Sequence, residues 1–271
     1  MKTIIFKGRE FAKRKELLLV GKVKKLKKRG ILPKLATILA SDDEASRLYV
    51  DLKKKAAARV GVEVESYYFG NKKQKRHLIG LISVLNMDSQ IHGIMIQLPL
   101  RTELKKYTRE ILEAIAPEKD VDGLREESAY MPACVRAIIY VIDEAKKKTR
   151  YKKSNEETIV AVYGSAGAVG MQLVRNLKKL GYKIIAVDKI YRRISKKFLE
   201  ADILIGATGH PANIKGSMVK DGAIVIDIGS PEGDVLFDEV VKKASFITPV
   251  PGGVGPVTVV GLLENLLLIL V

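Results

Sequence analysis

The chain has 271 residues, of which 47% are apolar, enough for a hydrophobic core in two domains or one large α/β unit. Its 48 Lys and Arg residues outnumber its 31 Asp and Glu residues and give a formal charge of +17 at pH 7. The apolar content excludes a disordered chain, and no apolar run is long and uncharged enough to span a bilayer, so a folded protein without a membrane partner is expected.

A basic amphipathic helix is predicted near the start of the chain. From Phe11 to Arg29 apolar side chains recur at near-helical spacing between lysines, and Gly30 ends the run. The basic excess would suit a nucleic-acid-binding protein. However, the lysines fall largely in helical stretches of this kind, without an RNA-recognition motif or a base-stacking aromatic pattern. A solvated basic surface that attracts anionic substrates is therefore favoured, and no nucleic-acid partner is expected.

The first half of the chain alternates between strands and helices. Strands are predicted at 35–40, 61–69 and 91–98, with a polar cluster at 41–44 that suits a helix start and a helix at 76–85. Such alternation is typical of a parallel sheet with right-handed crossovers.

Three polar residues are predicted to share a helix face after the first of these strands. Ser46, Tyr49 and Lys53 recur at spacings of three and four residues. A lysine amine beside an apolar wall can serve as acid or base near neutral pH, although Lys53–Lys55 would also suit a solvated face. Gln97 supports the functional interpretation, because it ends a wholly apolar strand where its amide needs a hydrogen-bond partner.

Two carboxylates precede a change in the character of the chain. Asp120 and Asp122 come just before Gly123, where a cleft between domains is expected. Asp120 also suits a helix cap or an ion pair, and Asp122 is predicted to be the ligand-binding residue of the two. The single cysteine, Cys134, permits no intrachain disulfide, which favours a reducing cytoplasm. The first eight residues lack the apolar core and cleavage site of a signal peptide.

A second alternating series follows a helix at 137–147 and a polar loop at 149–157. Strands are predicted at 158–163, 183–188, 202–206 and 223–227. The sequence therefore predicts two α/β domains flanking a cleft, the second Rossmann-like. The first is assigned to residues 1–123, completed by 257–271, and the second to residues 124–256.

A glycine loop joins the first strand of this series to a helix at 171–180. Gly164, Gly167 and Gly170 suit a dinucleotide loop whose backbone N–H groups meet a pyrophosphate, with Gly170 letting the helix approach the strand. The spacing differs from Gly-x-Gly-x-x-Gly, so the strand and helix on either side carry the argument. The segment Gly206–Gly209 ends another strand at the same edge of the sheet.

The choice of dinucleotide depends on the residues after the next strand. Asp188 suits a ribose hydroxyl of NAD, or a simple turn cap. Lys189, Arg192 and Arg193 suit a 2′-phosphate, or an ordinary charged surface.

Residues 248–258 contain three prolines and three glycines, which fix the backbone in conformations that other residues avoid. Such a rigid backbone favours a ligand-binding loop, and neither a helix nor a strand is expected to tolerate the stretch. The apolar run from Val259 to Leu270 is predicted to be a helix that packs back on the first domain.

Five segments in this order resemble the bifunctional methylenetetrahydrofolate dehydrogenase/cyclohydrolase family, over essentially the whole chain. They are Ser46-x-x-Tyr49-x-x-x-Lys53, Gln97-Leu-Pro-Leu, Pro117-Glu-Lys-Asp-Val-Asp-Gly123, the glycine loop and Pro249-Val-Pro-Gly-Gly-Val-Gly-Pro256.

The resemblance implies a cytoplasmic homodimer that acts on a tetrahydrofolate derivative. It would oxidise 5,10-methylenetetrahydrofolate with a nicotinamide cofactor and hydrolyse the methenyl product to 10-formyltetrahydrofolate. By analogy, Lys53 is the main acid/base residue and Gln97 assists it. Tyr49 stacks on the aminobenzoyl ring, and Asp122 binds the pterin.

The resemblance also implies the wider site, with no metal. Substrate contacts are expected at Ser46, Tyr49, Gln97, Pro99, Asp122, Pro251, Gly252 and Gly253. Cofactor contacts are expected at Gly164, Ser165, Ala166, Gly167, Val169, Gly170, Asp188, Lys189, Arg192, Arg193, Thr208, Gly209 and Gly229.

Three departures from the family pattern affect these expectations. The glycine loop reads Gly164-Ser-Ala166, without the arginine that usually meets the 2′-phosphate of NADP. NADP is expected on family grounds, with NAD as the alternative. The string 131–134 and His210 also depart from the usual residues, and neither is given a role. The alternative functions are a monofunctional NAD-dependent dehydrogenase, a shikimate-dehydrogenase-like enzyme and a basic nucleic-acid-binding protein.

Overall fold

The computed structural model describes residues 2–70, 74–188 and 196–270. In the first half of the chain the helices and strands alternate, as predicted. They are β1 (Ile4–Ile5), α1 (Gly8–Lys28), β2 (Lys34–Leu39), α2 (Glu44–Val60), β3 (Glu63–Tyr68), α3 (Lys75–Met87), β4 (Gly93–Gln97), α4 (Thr102–Lys105) and α5 (Thr108–Glu113).

The second half continues the alternation. It contains α6 (Ala133–Thr149), β5 (Ile159–Tyr163), α7 (Ala168–Lys179), β6 (Lys183–Val187), β7 (Ile203–Gly206), β8 (Ile224–Asp227), α8 (Phe237–Val240), β9 (Phe246–Ile247) and α9 (Val254–Leu268). Each strand predicted from the sequence is present to within two residues at either end.

The chain divides into two compact units. The three-stranded unit comprises Lys13–Ala133 and Val259–Val271, and the six-stranded unit comprises Met1–Ala12 and Cys134–Thr258. The C-terminal helix thus joins the first half of the chain, as its apolar character predicts. Within the three-stranded unit, the buried Asn265 of α9 donates hydrogen bonds to the carbonyls of Val121 and Met131, both at 2.9 Å.

The sheet of the three-stranded unit has the order β3-β2-β4, and its strands are parallel. The central strand β2 is almost entirely buried. Its Ile38 packs in a core with Ile94 and Ile96 of β4 and with Leu78 and Ile82 of α3. Because Leu39 lies opposite Gln97, the carboxyl ends of β2 and β4 lie side by side.

The sheet of the six-stranded unit has the order β1-β9-β8-β7-β5-β6 and is parallel throughout. With crossover helices such as α7, it is a Rossmann-like α/β unit. The strands β7 and β8 are wholly buried, as near-continuous apolar runs in a parallel sheet should be. The carboxyl ends of β5 and β7, which carry the predicted dinucleotide segments, are neighbours.

One structural expectation was wrong. The helix α9 begins at Val254, inside the stretch that no helix was expected to tolerate. Pro256 lies in the first turn, where a helix has no intrahelical partner for the missing N–H group and where the fixed φ of proline suits the helix. The rigid loop is therefore shorter than predicted and ends at Gly253. Within the described residues, no helix combines the length and apolar character needed to cross a membrane.

Candidate functional site

The helix α2 presents the first group of predicted site residues, and its start is fixed by Asp43. This carboxylate accepts hydrogen bonds from both the backbone N–H and the hydroxyl of Ser46, each at 2.9 Å. The hydroxyl and then the N–H of Ser46 are the main causes that lower the pKa of Asp43. Ser46 is only 3% exposed, and its hydrogen bonds to Asp43 form the cap at the start of α2. Its predicted contact with substrate stays a prediction.

Lys53 lies farther along α2 and meets the end of β4. Its Nζ donates a hydrogen bond of 3.0 Å to Oε1 of Gln97 and lies 3.1 Å from Sδ of the buried Met95. The predicted need of Gln97 for a partner is thereby met. Lys53 is half-buried, whereas Lys54 and Lys55 are exposed. Only the first of the three lysines thus departs from a solvated face.

Asp120 and Asp122 have different surroundings. Asp120 is 1% exposed, and its carboxylate accepts backbone N–H groups of three following residues. These donors are Gly123 at 3.1 Å, Leu124 at 3.3 Å and Arg125 at 3.1 Å. Asp120 therefore shapes a turn, and no helix begins at the residues that it holds, so the helix cap proposed for it is not what the structure shows.

Asp122 is half-buried and lies within electrostatic range of Lys53. Burial raises the pKa of the Asp122 carboxyl, the positive charge of Lys53 opposes this rise, and Asp120 adds to it. The three-stranded unit thus brings together an amine, an amide and a carboxyl group. This set can donate and accept protons and can bind a polar heterocycle. Tyr49 lies half-buried on α2, and Pro99 is exposed just after β4.

The glycine loop of the six-stranded unit leaves no room for side chains at two positions. Gly164 has a φ of +91°, and a Cβ there would lie 2.2 Å from the carbonyl oxygen of Ala207. A Cβ at Gly170 would lie 2.1 Å from the carbonyl oxygen of Gly164. The close approach of α7 to the end of β5, predicted for Gly170, is confirmed.

The remaining loop residues present backbone at the start of α7. Ala166 and Gly167 are exposed, and Ser165 and Val169 are half-buried. The N–H groups of Gly164 and Ser165 donate to the carbonyl of Val187, which ties the loop to the end of β6. An exposed backbone turn at the start of a 12-residue helix fits the pyrophosphate of a dinucleotide.

The other predicted cofactor residues follow β6, β7 and β8 or lie beyond what is described. Asp188 is half-buried directly after β6. Thr208 is 8% exposed, and Gly209 has a φ of +65°. Gly229 donates its N–H to Asp227, at 2.8 Å. Lys189, Arg192 and Arg193 lie outside the described residues.

The Pro/Gly loop packs against the beginning of α1 within the six-stranded unit. Gly252 has a φ of +99°, Gly253 is buried and Pro251 is exposed. A Cβ at Gly8 would lie 1.9 Å from the carbonyl oxygen of Gly253. This contact fixes the loop in a way that no signal in the sequence revealed.

Two buried carboxylates of the six-stranded unit, Asp227 and Asp234, were missed by the sequence analysis. Asp234 accepts the backbone N–H groups of Thr208 and Gly209, and Asp227 accepts that of Gly229. The position of Asp227 at the end of a buried strand was the one available signal. Among the described residues, no group of three or more His, Cys, Asp and Glu side chains is arranged to hold a metal ion.

Two family models match the chain in succession. Residues 6–122 match the catalytic domain of tetrahydrofolate dehydrogenase/cyclohydrolase, and residues 132–270 match its NAD(P)-binding domain. The bifunctional protein FolD of Methanosarcina barkeri is 38% identical over 254 residues, covering 88% of this chain and 86% of that protein. FolD of Bacillus subtilis is 36% identical over 281 residues, covering 98% and 96%.

Solved structures agree with these matches. FolD of Campylobacter jejuni has a TM-score of 0.89 at 31% identity, covering 99% of this chain and 98% of the other. The Trypanosoma brucei enzyme, solved with NADP and an inhibitor, has a TM-score of 0.89 at 30% identity, covering 100% and 98%. Shikimate dehydrogenase of Aquifex aeolicus has a TM-score of 0.52 at 13% identity over 83% of this chain and 90% of that one, which shows a shared fold alone.

Proposed function

This chain belongs to the tetrahydrofolate dehydrogenase/cyclohydrolase family, and we propose on that premise how its own residues carry out the two reactions. The protein oxidises 5,10-methylenetetrahydrofolate to 5,10-methenyltetrahydrofolate with NADP, and it then hydrolyses the product to 10-formyltetrahydrofolate. The two activities use one folate derivative in succession.

The observation that carries the proposal is the hydrogen bond of 3.0 Å from Lys53 to Gln97. It fixes an amine, otherwise on a flexible side chain, beside the buried Met95 of β4. An acid or base must be held in a defined position to act in a transition state. The neighbouring lysines of α2 are exposed, so this arrangement singles out Lys53.

In the cyclohydrolase step, water attacks the one-carbon bridge of the methenyl cation. Lys53 accepts the proton that the attacking water releases, and Gln97 orients the Lys53 amine. The bond between the one-carbon unit and N5 then breaks, the proton of the new hydroxyl group is transferred to N5, and the formyl group stays on N10. Asp122 binds the pterin, and Tyr49 stacks on the aminobenzoyl ring, with Ser46, Pro99, Pro251, Gly252 and Gly253 as further substrate contacts.

In the dehydrogenase step a hydride leaves the one-carbon bridge, and NADP would supply its acceptor when bound at the glycine loop. The residues present fit this cofactor, because the glycine loop exposes backbone at the start of α7 and has no space for side chains at Gly164 and Gly170. Ser165, Ala166, Gly167 and Val169 form the pyrophosphate loop. Thr208, Gly209 and Gly229 complete the cofactor site.

The selection of NADP needs residues other than the usual loop arginine, because Ser165 and Ala166 stand in that part of the loop. We assign recognition of the 2′-phosphate to Lys189, Arg192 and Arg193. Asp188 counteracts this preference by favouring a ribose hydroxyl, so NAD is expected to be the weaker second cofactor.

Family resemblance supports the larger-scale assignments. We assign folate binding to the three-stranded unit and dinucleotide binding to the six-stranded unit, which differs from the domain bounds expected from the sequence chiefly in that Met1–Ala12 belong to the six-stranded unit. The active form is a homodimer in the cytoplasm, and the single Cys134 fits a reducing compartment. Light scattering on a sizing column tests the dimer.

The test of the function uses two substrates and two variants. The wild-type protein should reduce NADP, and NAD less well, with 5,10-methylenetetrahydrofolate, and it should hydrolyse 5,10-methenyltetrahydrofolate without a dinucleotide. Lys53→Ala should lower the hydrolysis rate by about 100-fold or more, while Lys54→Ala, a matched exposed lysine on the same helix, should match the wild type. Folded wild-type protein without activity on either substrate would refute the proposal.

A further inference from the structure

The six-stranded unit contains two buried carboxylates that the proposed mechanism does not use. Asp234 is 0% exposed and Asp227 is 3% exposed. Burying two like charges close together is costly, and stability alone would favour neutral residues here. Burial raises the pKa of Asp227. The hydrogen bonds that Asp227 accepts oppose this rise, and the negative charge of Asp234 adds to it. Such a costly pair calls for an explanation beyond packing.

The contacts of the pair form a chain that leads from β8 to the end of β7. Asp227 Oδ1 accepts the N–H groups of Gly229 at 2.8 Å and of Asp234 at 3.0 Å. Its Oδ2 accepts the N–H of Val235 at 2.9 Å. Asp227 thus fixes the turn that carries Asp234.

Asp234 in turn holds the segment after β7. Its Oδ2 accepts the N–H groups of both Thr208 and Gly209, the second at 3.2 Å. Its Oδ1 is fully buried and has no hydrogen-bond partner among the described residues. The carboxylate therefore acts on this segment through one oxygen that accepts two backbone donors, which are charge-assisted hydrogen bonds.

The segment held by Asp234 lies directly against the glycine loop. A Cβ at Gly164 would lie 2.2 Å from the carbonyl oxygen of Ala207 and 2.8 Å from the nitrogen of Thr208. A small displacement of Thr208 would therefore bring it into contact with the loop or open a gap beside it. Gly209 has a φ of +65°. Glycine adopts this conformation freely, but it adopts many others as well, so glycine itself does not hold the segment in place. The carboxylate of Asp234 supplies the constraint that glycine itself does not.

We propose that Asp234, fixed by Asp227, is a positioning residue for the dinucleotide, which it serves by holding the Thr208–Gly209 backbone against the glycine loop. The inference rests on the proposed function, because it takes the glycine loop to be the NADP site. Asp234 has no direct contact with the cofactor in this role. Loss of the Asp234 carboxylate should therefore weaken dinucleotide binding more than an equally destabilising substitution elsewhere in the same unit.

Asp202 provides a matched control in the same unit. It is 6% exposed, it precedes β7 at the opposite end of the strand from Thr208, and it accepts hydrogen bonds from Lys153 and Lys220. Removal of Asp202 breaks the ion pairs of a buried carboxylate with two partly exposed lysines, without affecting the segment beside the glycine loop. Asp202→Ala should thus reproduce the destabilisation of Asp234→Ala and not its effect on the cofactor.

The experiment measures NADP binding directly by isothermal titration calorimetry, at a temperature where circular dichroism shows each variant to be folded. Asp234→Ala should raise the Kd for NADP about tenfold relative to the wild type, and Asp202→Ala should change it less than about twofold. Asp234→Asn should have an intermediate effect, because its amide oxygen can still accept both N–H groups. In turnover, the KM for NADP should change more than kcat.

Equal Kd values for the Asp234→Ala and Asp202→Ala proteins would overturn the inference and leave the proposed function intact. If Asp234→Ala does not fold, the same comparison is made between Asp234→Asn and Asp202→Asn, and equal values again overturn the inference. A folded wild-type protein that binds no NADP would instead refute the proposed function, and this inference with it.

Discussion

Gln97 converts a lysine on a partly exposed helix into an amine with a defined position. Its Oε1 accepts the hydrogen bond of Lys53, and the amine also lies beside the weak acceptor Sδ of Met95. Gln97→Leu should therefore lower kcat of the cyclohydrolase step by about 10-fold to 100-fold, with a smaller change in KM, because the amine loses its orientation. Stopped-flow measurement of methenyl absorbance checks this.

The matched control is Gln90→Leu, since Gln90 is an exposed glutamine in the loop before β4. It should leave both activities at the wild-type level. A Gln97→Leu protein with wild-type kcat would show that Lys53 needs no partner on β4.

Asp120 and Asp122 should respond in opposite directions to the same substitution. Asp120 accepts three backbone N–H groups, so Asp120→Asn places an amide donor against another donor and should cost about 1–3 kcal/mol of unfolding free energy. Burial is the largest influence on Asp122 and raises its pKa, so Asp122→Asn should stabilise the fold and raise the KM for folate.

The pH dependence follows from the sign of the Asp122 shift. A raised pKa means that the folded protein prefers the protonated carboxyl. The wild type therefore loses stability as the pH rises from the ordinary carboxyl range through the raised pKa, and Asp122→Asn does not. Urea titrations across this range should show the advantage of the variant growing with pH. A destabilised Asp122→Asn at neutral pH would mean that Asp122 is a structural ion-pair partner of Lys53.

The sequence predicted individual site residues where local spacing or a buried strand carried the information. The spacing of Ser46, Tyr49 and Lys53 placed Lys53 on the correct helix, and the apolar strand indicated that Gln97 needed a partner. Asp234 gave no such signal. It acts on backbone N–H groups far away in the chain, and every non-proline residue has such a group, whatever its side chain.

At the scale of single elements, the start of α7 depends on the absence of a side chain at Gly170. A Cβ there would lie 2.1 Å from the carbonyl oxygen of Gly164, a backbone atom that cannot move without disturbing the loop. Gly170→Ala should therefore displace α7 from the end of β5 and weaken NADP binding by about tenfold or more, with a lower melting temperature. Calorimetric titration with NADP measures the first effect and differential scanning calorimetry the second.

The matched control is Gly80→Ala on α3. A Cβ at Gly80 meets nothing within 4 Å, and alanine is the better helix former by about 0.5–1 kcal/mol. This variant should be slightly more stable than the wild type and bind NADP equally well. Wild-type affinity in Gly170→Ala would contradict the assignment of the glycine loop.

Element prediction succeeded where a long apolar period or a buried run defined the element. It failed where one or two contacts decide. The strand β1 has two residues and exists by pairing with β9, which lies more than two hundred positions away along the chain. The helix α9 starts earlier than expected because its first turn accepts Pro256, a compatibility that composition alone hides.

At the scale of the whole molecule, the charge of +17 acts on every anionic ligand that approaches. The excess lysines, most of them exposed on helices such as α1, create a positive potential in the solvent around the protein. The proposed folate and dinucleotide sites give these lysines no specific ligand. Their expected contribution is to the rate of encounter, which salt screens over about 8–10 Å at physiological ionic strength.

NADP and NAD differ by one phosphate, and this makes them a matched pair of probes for the field. Raising the salt concentration should lower kcat/KM for NADP several-fold and lower kcat/KM for NAD by a smaller factor, because the added phosphate feels both the general potential and the residues that select it. The measurement is kcat/KM for each dinucleotide against the concentration of potassium chloride, at saturating 5,10-methylenetetrahydrofolate. An equal dependence of kcat/KM on salt for the two cofactors would mean that the charge of the protein acts on the part of the dinucleotide that NADP and NAD share, and not on the 2′-phosphate. A salt-independent kcat/KM for both would show that the basic surface has no part in cofactor capture.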